Sequence, residues 1–222
     1  MNRFKLFTEN FFAYGLINIL NKIIPLIMLP IVTRMLTDTG GYGRFDMFTT
    51  IVNFGSSFAV LGVYDAMFRE YFEKDDDYFK DTVTSTALGI VMTSSVVVLI
   101  AFIVFQKPLS IAFLGDDKSS FIITTAGVGT LLGALRSPIS APTRMRNQRL
   151  IYVGSGLANG LIYYGLAIFL VYLGFGYKGM IYGNLIASIS ILIYFAIINR
   201  KDFDLHLFDK KMQIKRATKN RY

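Results

Sequence analysis

The 222-residue chain contains no cysteine and no tryptophan, and its only histidine is His206. Without thiols there are no disulfides, thiolate metal sites or cysteine nucleophiles. A single histidine excludes histidine clusters and the di-iron sites built from them. Charge is also scarce: 17% of residues are charged, against roughly 25% in a soluble domain. In its place stand a hydrophobic fraction of 53% and a mean hydropathy of +0.48. So much apolar side chain excludes a disordered segment. It also exceeds what one water-soluble core of this length can hide, so lipid is the expected solvent for much of the surface.

Six apolar runs are long enough to cross about 30 Å of hydrocarbon, which takes about 20 helical residues. They lie near 11–36, 43–67, 82–105, 120–143, 150–173 and 178–199. Their length and continuity favour helices over the short alternating strands of a membrane barrel. The connections carry breakers: Gly40-Gly41, the charged stretch 70–81, Lys107-Pro108, Arg144 to Arg149, and Gly174 with Gly176. No inter-domain linker is visible. The expectation is an all-α membrane protein, a six-helix bundle over 1–200 followed by a basic tail over 201–222.

The formal net charge is +8. Nucleic-acid binding would be one reading of such a balance, but in a chain this apolar the basic residues read as membrane flanks. Sixteen of the 23 Lys and Arg fall at the N-terminus, at 68–81, at 144–149 and at 200–222. The opposite ends hold only Arg34, Arg44, Lys107, Lys118 and Lys178. This bias places both termini in the cytoplasm, as an even number of spans requires. The first span is too long for a cleaved leader and lacks a small-residue cleavage site.

Residues that a lipid-facing helix would avoid carry the functional signal, because a charge at mid-membrane costs roughly 2.5–3.5 kcal/mol. Lys22 lies about mid-span with Asn18 one turn earlier on the same face. It is expected to line a cavity, the alternative being an ion pair with Asp46 or Asp65. In the second span Asp46, Thr49, Thr50, Asn53, Ser56 and Ser57 recur at helical spacing. Such a stripe either lines water or packs between helices. Asp65 and Arg69 stand four apart, which suits a helix-end salt bridge. Arg136 precedes Pro138 and Pro142, which are expected to break the fourth span. Pro25 and Pro30 are expected to bend the first. The glycine pairs Gly129/Gly133, Gly156/Gly160 and Gly179/Gly183 fit close helix packing. No phosphate loop, metal motif or nucleophile elbow is present, so no cofactor is expected.

The run Asn18-Ile-Leu-Asn-Lys22-Ile-Ile-Pro25, then Leu29-Pro30-Ile-Val-Thr33-Arg34-Met-Leu36-Thr37 and Tyr42-Gly43, resembles the start of polysaccharide-biosynthesis flippases. These belong to the multidrug/oligosaccharidyl-lipid/polysaccharide exporter superfamily, with its MATE-like fold. Leu61-Gly-Val-Tyr-Asp65-Ala-Met-Phe-Arg69 resembles that family's second helix, and Phe208-Asp209-Lys210-Lys211 the linker after its sixth. The resemblance implies movement of undecaprenyl-diphosphate-linked oligosaccharide across the bacterial cytoplasmic membrane for capsule, O-antigen or related polysaccharides. It implies two six-helix bundles around a cationic cavity with alternating access. By position and charge, Asn18, Lys22, Arg34, Asp46, Asn53 and Arg136 are the expected lining residues.

The family carries a second bundle, whereas Gln213 to Tyr222 is strongly basic and does not continue as an apolar seventh helix. The expectation is therefore an N-terminal half, partnered by a second six-helix half or a second copy, with membrane lipid around it and no nucleic acid. An ion-coupled exporter of drugs or small molecules is the alternative within the superfamily and would favour acidic lining residues such as Asp46. A non-transporting remnant or scaffold is another. A membrane glycan enzyme would need larger loops and placed catalytic groups.

Overall fold

The computed structural model describes residues 19, 22–36 and 40–203. Among them every regular element is a helix. Helix α1 covers 22–35. It is followed by α2 (Gly41–Val60), α3 (Val63–Tyr71), α4 (Asp77–Val104), α5 (Gln106–Leu114), α6 (Ser120–Met145), α7 (Arg149–Leu170) and α8 (Tyr177–Ile198). A wider turn over Val171–Phe175 extends α7 towards α8. The chain reverses there at Gly174 (φ +89°) and Gly176 (φ +55°), conformations that glycine adopts without a Cβ clash.

Four helices, α4, α6, α7 with its extension, and α8, are long and apolar enough to cross a membrane, and α2 with α3 makes a fifth if the bent pair is one span. The chain is thus a multi-pass membrane protein. The expected six spans are not all seen among the described residues. The start of the first lies outside them, and the helix described there covers only 22–35.

Helix α6 is the hub. Fifteen of its 26 residues are buried, and it packs against α2, α3, α4, α5, α7 and α8. Small residues make the α2–α6 approach close. A Cβ on Gly133 would stand 2.5 Å from Ser56 Oγ, and one on Gly129 would stand 2.7 Å from Val52 Cγ2. With no water to expel between lipid-solvated helices, such interlocking supplies the attraction by dispersion. Gly133→Val should therefore separate α2 from α6, lowering stability by about 1–3 kcal/mol in a detergent unfolding titration. Of the predicted glycine pairs, Gly183 also meets backbone, its Cβ position lying 3.1 Å from Ala167 N. At Gly160 the nearest atom is Ile24 Cγ2 at 3.8 Å, so that glycine makes no tight contact.

The main apolar core joins α1, α2, α6, α7 and α8. Phe45 sits in it, its ring 5.8 Å from Tyr163 and 6.0 Å from Phe48. A second cluster, Met67, Tyr71, Ala87, Ala141 and Met145, closes the other end between α3, α4 and α6.

Three local expectations are corrected. The prolines do not break the fourth span: α6 is helical from 120 to 145 through Pro138 and Pro142. Both are buried, and the surrounding helices hold the course that the missing N–H groups alone would release. Helix α1 also runs without interruption through Pro25 and Pro30, which are expected to bend it and not to break it. Lys107-Pro108 does not simply end the third span, because α5 starts at Gln106, with Pro108 in its first turn, where no N–H is needed. Third, the predicted second span is two helices meeting at 47°. At the break Leu61 (φ +51°) and Gly62 (φ +70°) are both left-handed. For leucine that conformation costs roughly 1–2 kcal/mol. Ser94 of α4 donates its hydroxyl to the Ala59 carbonyl beside the break, satisfying a group that the interrupted ladder exposes.

The helices alternate in direction, so the bundle has two ends. One gathers Leu36, Gly41 and the α7–α8 turn around a cleft of about 400 Å³ lined also by Lys178, whose ammonium stands over the Phe121 ring. The other gathers α3, the start of α4, Arg144, Arg146 and Arg149, and residues 199–202. At the first end the Asp116 carboxylate accepts from Ser119 N at 2.7 Å. The Ser119 hydrogen bonds hold its carboxyl below the usual range. That contribution is present above the unfolded pKa and lost as pH falls through the lowered one. Asp116→Ala should therefore lower stability at neutral pH and leave it nearly unchanged in strong acid, which flattens the acid limb of the stability profile.

Candidate functional site

At the second end a cationic and aromatic corner forms between α3, α6 and α7. Arg136 is half-buried on α6 and within electrostatic reach of Arg144 and Tyr152. Arg144 lies near the end of the same helix. Its guanidinium sits 4.4 Å from the centre of the Tyr152 ring and 4.8 Å from that of Tyr64, and Nη1 donates to the Tyr64 hydroxyl at 2.9 Å. Among the described residues no carboxylate pairs with Arg136 or Arg144. Two guanidiniums eight residues apart on one helix thus carry net positive charge at the edge of the apolar bundle. Aromatic faces attract such a group but do not neutralise it. What the corner can do chemically is bind an anion, since a planar guanidinium matches a phosphate or carboxylate through paired hydrogen bonds.

The polar stripe of α2 resolves into two faces. Asp46, Thr50, Asn53 and Ser57 are exposed, on one side of the helix. Ser56, counted in the same stripe from sequence, turns the other way and donates to the Thr130 carbonyl at 3.2 Å. Ser57 and Thr49 spend their hydroxyls on the Asn53 and Asp46 carbonyls of their own helix. Asp46 and Asn53 are therefore brought to one open face rather than packed between helices of this bundle.

The remaining predicted residues are spread out. Asn18 lies outside the described residues. Lys22 and Arg34 are both exposed on α1, about 18 Å apart along its axis. Arg34 belongs to the end opposite Arg136. Among the described residues no ion pair joins Lys22 to Asp46 or Asp65. The expected Asp65–Arg69 bridge is not formed either: Arg69 faces Glu70 at 3.7 Å, both in solvent.

Next to the corner is a polar clasp that the sequence did not single out. Asn199, fully buried at the end of α8, donates to the Ile139 carbonyl at 2.8 Å. Its Oδ1 accepts from Thr143 at 3.0 Å and from Arg146 at 2.5 Å. Arg146 also pairs with Asp202 at 3.0 Å. Burial pushes the Asp202 carboxyl above its usual range, and Arg146 opposes that shift. The sequence signal for Arg144, Tyr64 and Tyr152 is equally faint. Arg144 reads as a loop charge, and nothing in spacing brings a tyrosine of α3 and another of α7 to it.

These features define a class: a multi-pass helical membrane protein with an unneutralised cationic corner and an open polar face. The chain belongs to the polysaccharide biosynthesis protein family, which it matches over residues 7–221. No curated protein and no solved structure matches it.

Proposed function

We propose that the chain is the lipid-linked oligosaccharide flippase of this family, moving a diphosphate-linked glycan from the cytoplasmic to the outer leaflet of the bacterial cytoplasmic membrane. The observation that carries this reading is Arg136, half-buried in the hub helix with no carboxylate partner among the described residues and with Arg144 beside it. An uncompensated cation in a spanning helix is costly, and an anionic substrate group removes that cost while bound. The open α2 face of Asp46, Thr50, Asn53 and Ser57 supplies hydroxyl and amide partners for sugar. Lys22 and Arg34 extend the positive charge along α1. The face suits a water-filled path closed on its far side by a second bundle or a second copy. No residue set among those described calls for a nucleotide or metal, so mass action or an ion gradient drives the movement.

Binding tests this first. In native mass spectrometry the purified protein should retain undecaprenyl diphosphate, lose it on Arg136→Gln, and not retain undecaprenol. Equal retention of both lipids would overturn the reading. The exposed Asp46 favours a second reading, an ion-coupled exporter. That reading expects a cationic dye to be extruded under a proton gradient and the Asp46→Asn variant to stop it.

In this reading the Arg144 end faces the cytoplasm. The absence of native cysteine makes the check direct. Lys74→Cys should be blocked by a membrane-impermeant maleimide only in inside-out vesicles, and Lys118→Cys only in intact cells. The reverse pattern would invert the topology. Asn53→Leu, on the open face, should reduce glycan movement several-fold, and its stability should be unchanged within about 0.5 kcal/mol, as for a surface substitution.

A further inference from the structure

We propose that Arg144 is a latch: it pins α3 against the α6–α7 corner, and an anionic group that takes its guanidinium frees α3 to turn about Leu61–Gly62. The anion is the lipid diphosphate of the proposed function, so this step rests on that reading. The pinning itself does not.

Helix α2 is fixed up to the break. Gly55 meets Thr130, Ser56 donates to the Thr130 carbonyl, and Ser94 holds the Ala59 carbonyl. Beyond the break, α3 is a nine-residue helix at 47° to α2, joined through two residues already in the left-handed region. Leu61 is 63% exposed, so packing around its side chain does not hold the joint. Helix α3 keeps one apolar edge, Met67 and Tyr71, on α4 and α6. Its polar tie to the hub is the Tyr64 hydroxyl on Arg144.

That tie is built to be exchanged. Arg144 is held by one phenol and two ring faces, from α3 and α7, with no carboxylate among the described residues. A diphosphate offers charged oxygens to the same fork, a stronger class of hydrogen bond than a neutral hydroxyl. Arg136, on the same helix, draws the anion to that spot. Once Arg144 turns to phosphate, Tyr64 loses its partner, and among the described residues the apolar edge and the Lys80 contact with the Tyr71 ring are left to hold α3. Straightening the bend would carry the far end of so short a helix by roughly 10 Å.

The chain has no cysteine, so spin labels can be placed uniquely at Phe72→Cys, beyond α3, and Leu150→Cys, at the start of α7. Both positions are exposed, at 59% and 71%. Distances are read in lipid vesicles without ligand, with undecaprenol and with undecaprenyl diphosphate. The ligand-free protein should give one narrow distance. Arg144→Gln without ligand should add a second population displaced by several ångströms, and the milder Tyr64→Phe, which keeps the ring, a smaller one. The diphosphate should produce that population in the native sequence, and undecaprenol should not. Unchanged distances in both variants would overturn the latch. Diphosphate bound, as native mass spectrometry reports, with the distance unmoved would overturn the coupling. Variants that shift while the diphosphate fails to bind would uphold the pinning and refute the substrate reading alone.

Discussion

Arg136→Gln is expected to cut glycan export by roughly 10–100-fold, the loss that follows from one charge-assisted hydrogen bond of about 1.5–3 kcal/mol. The protein should still insert and fold. Arg136 is half-buried with no carboxylate beside it among the described residues, and Arg144 adds repulsion. Glutamine removes that cost, so thermal stability in detergent should hold or rise while transport falls. This opposition separates a binding role from a structural one, because a residue kept for packing would lose both together. Arg136→Lys should be intermediate. It keeps the charge but loses the planar fork that engages two phosphate oxygens at once. Export is read as surface polysaccharide in cells whose own flippase gene is deleted, with membrane levels of each variant measured alongside. Export at the native level by Arg136→Gln would remove this residue from the site.

The second large effect is on stability. Asn199→Leu should destabilise the bundle by about 3 kcal/mol, read as a shift in the detergent or SDS unfolding midpoint. Asn199 is fully buried and serves three partners: the Ile139 carbonyl, the Thr143 hydroxyl and Arg146. A leucine occupies similar space and leaves the first two without a partner where water is scarce. Arg146 retains Asp202, so the clasp is weakened rather than abolished. Asn199→Asp should destabilise as well: it keeps the acceptor for Thr143 and Arg146, but it sets an oxygen against the Ile139 carbonyl and adds a buried carboxyl to a clasp that already holds Asp202. Because the clasp ties α6 to α8 away from the α2 face, the fraction that survives purification should retain undecaprenyl diphosphate to the same extent as the native sequence.

Much of the fold is legible in the chain's composition and periodicity. Helical spans follow from backbone chemistry: in hydrocarbon each N–H and C=O must be satisfied within its own segment, so long apolar runs can only be helices. The third to sixth runs fall within a few residues of α4, α6, α7 and α8. Arg136 stands out because charge is expensive in a span, and the stripe of α2 because its polar residues recur at helical spacing. The clustering of basic residues at one end of the bundle can likewise be counted along the chain.

What composition and period cannot carry is the partner of each residue. Leu61 sits in an apolar run that reads as one span, and only Ser94, thirty-odd positions later, gives the broken ladder its replacement. Pro138 and Pro142 carry a strong local signal to break, and the helices packed around α6 override it. Arg144 looks like a loop charge until α3 and α7 bring Tyr64 and Tyr152 onto its two sides. Asn199 looks like the polar end of a helix until α6 supplies Ile139, Thr143 and Arg146. Residue types and their spacing are thus enough to establish that the chain lives in lipid, that it crosses as helices, and which charges are costly. Which of those charges share a corner, and where a helix bends, follows only from the packed bundle. Both depend on contacts between distant segments, the side-chain hydrogen bonds of the corner and clasp joining residues 53 to 80 positions apart, a separation over which no local period reports.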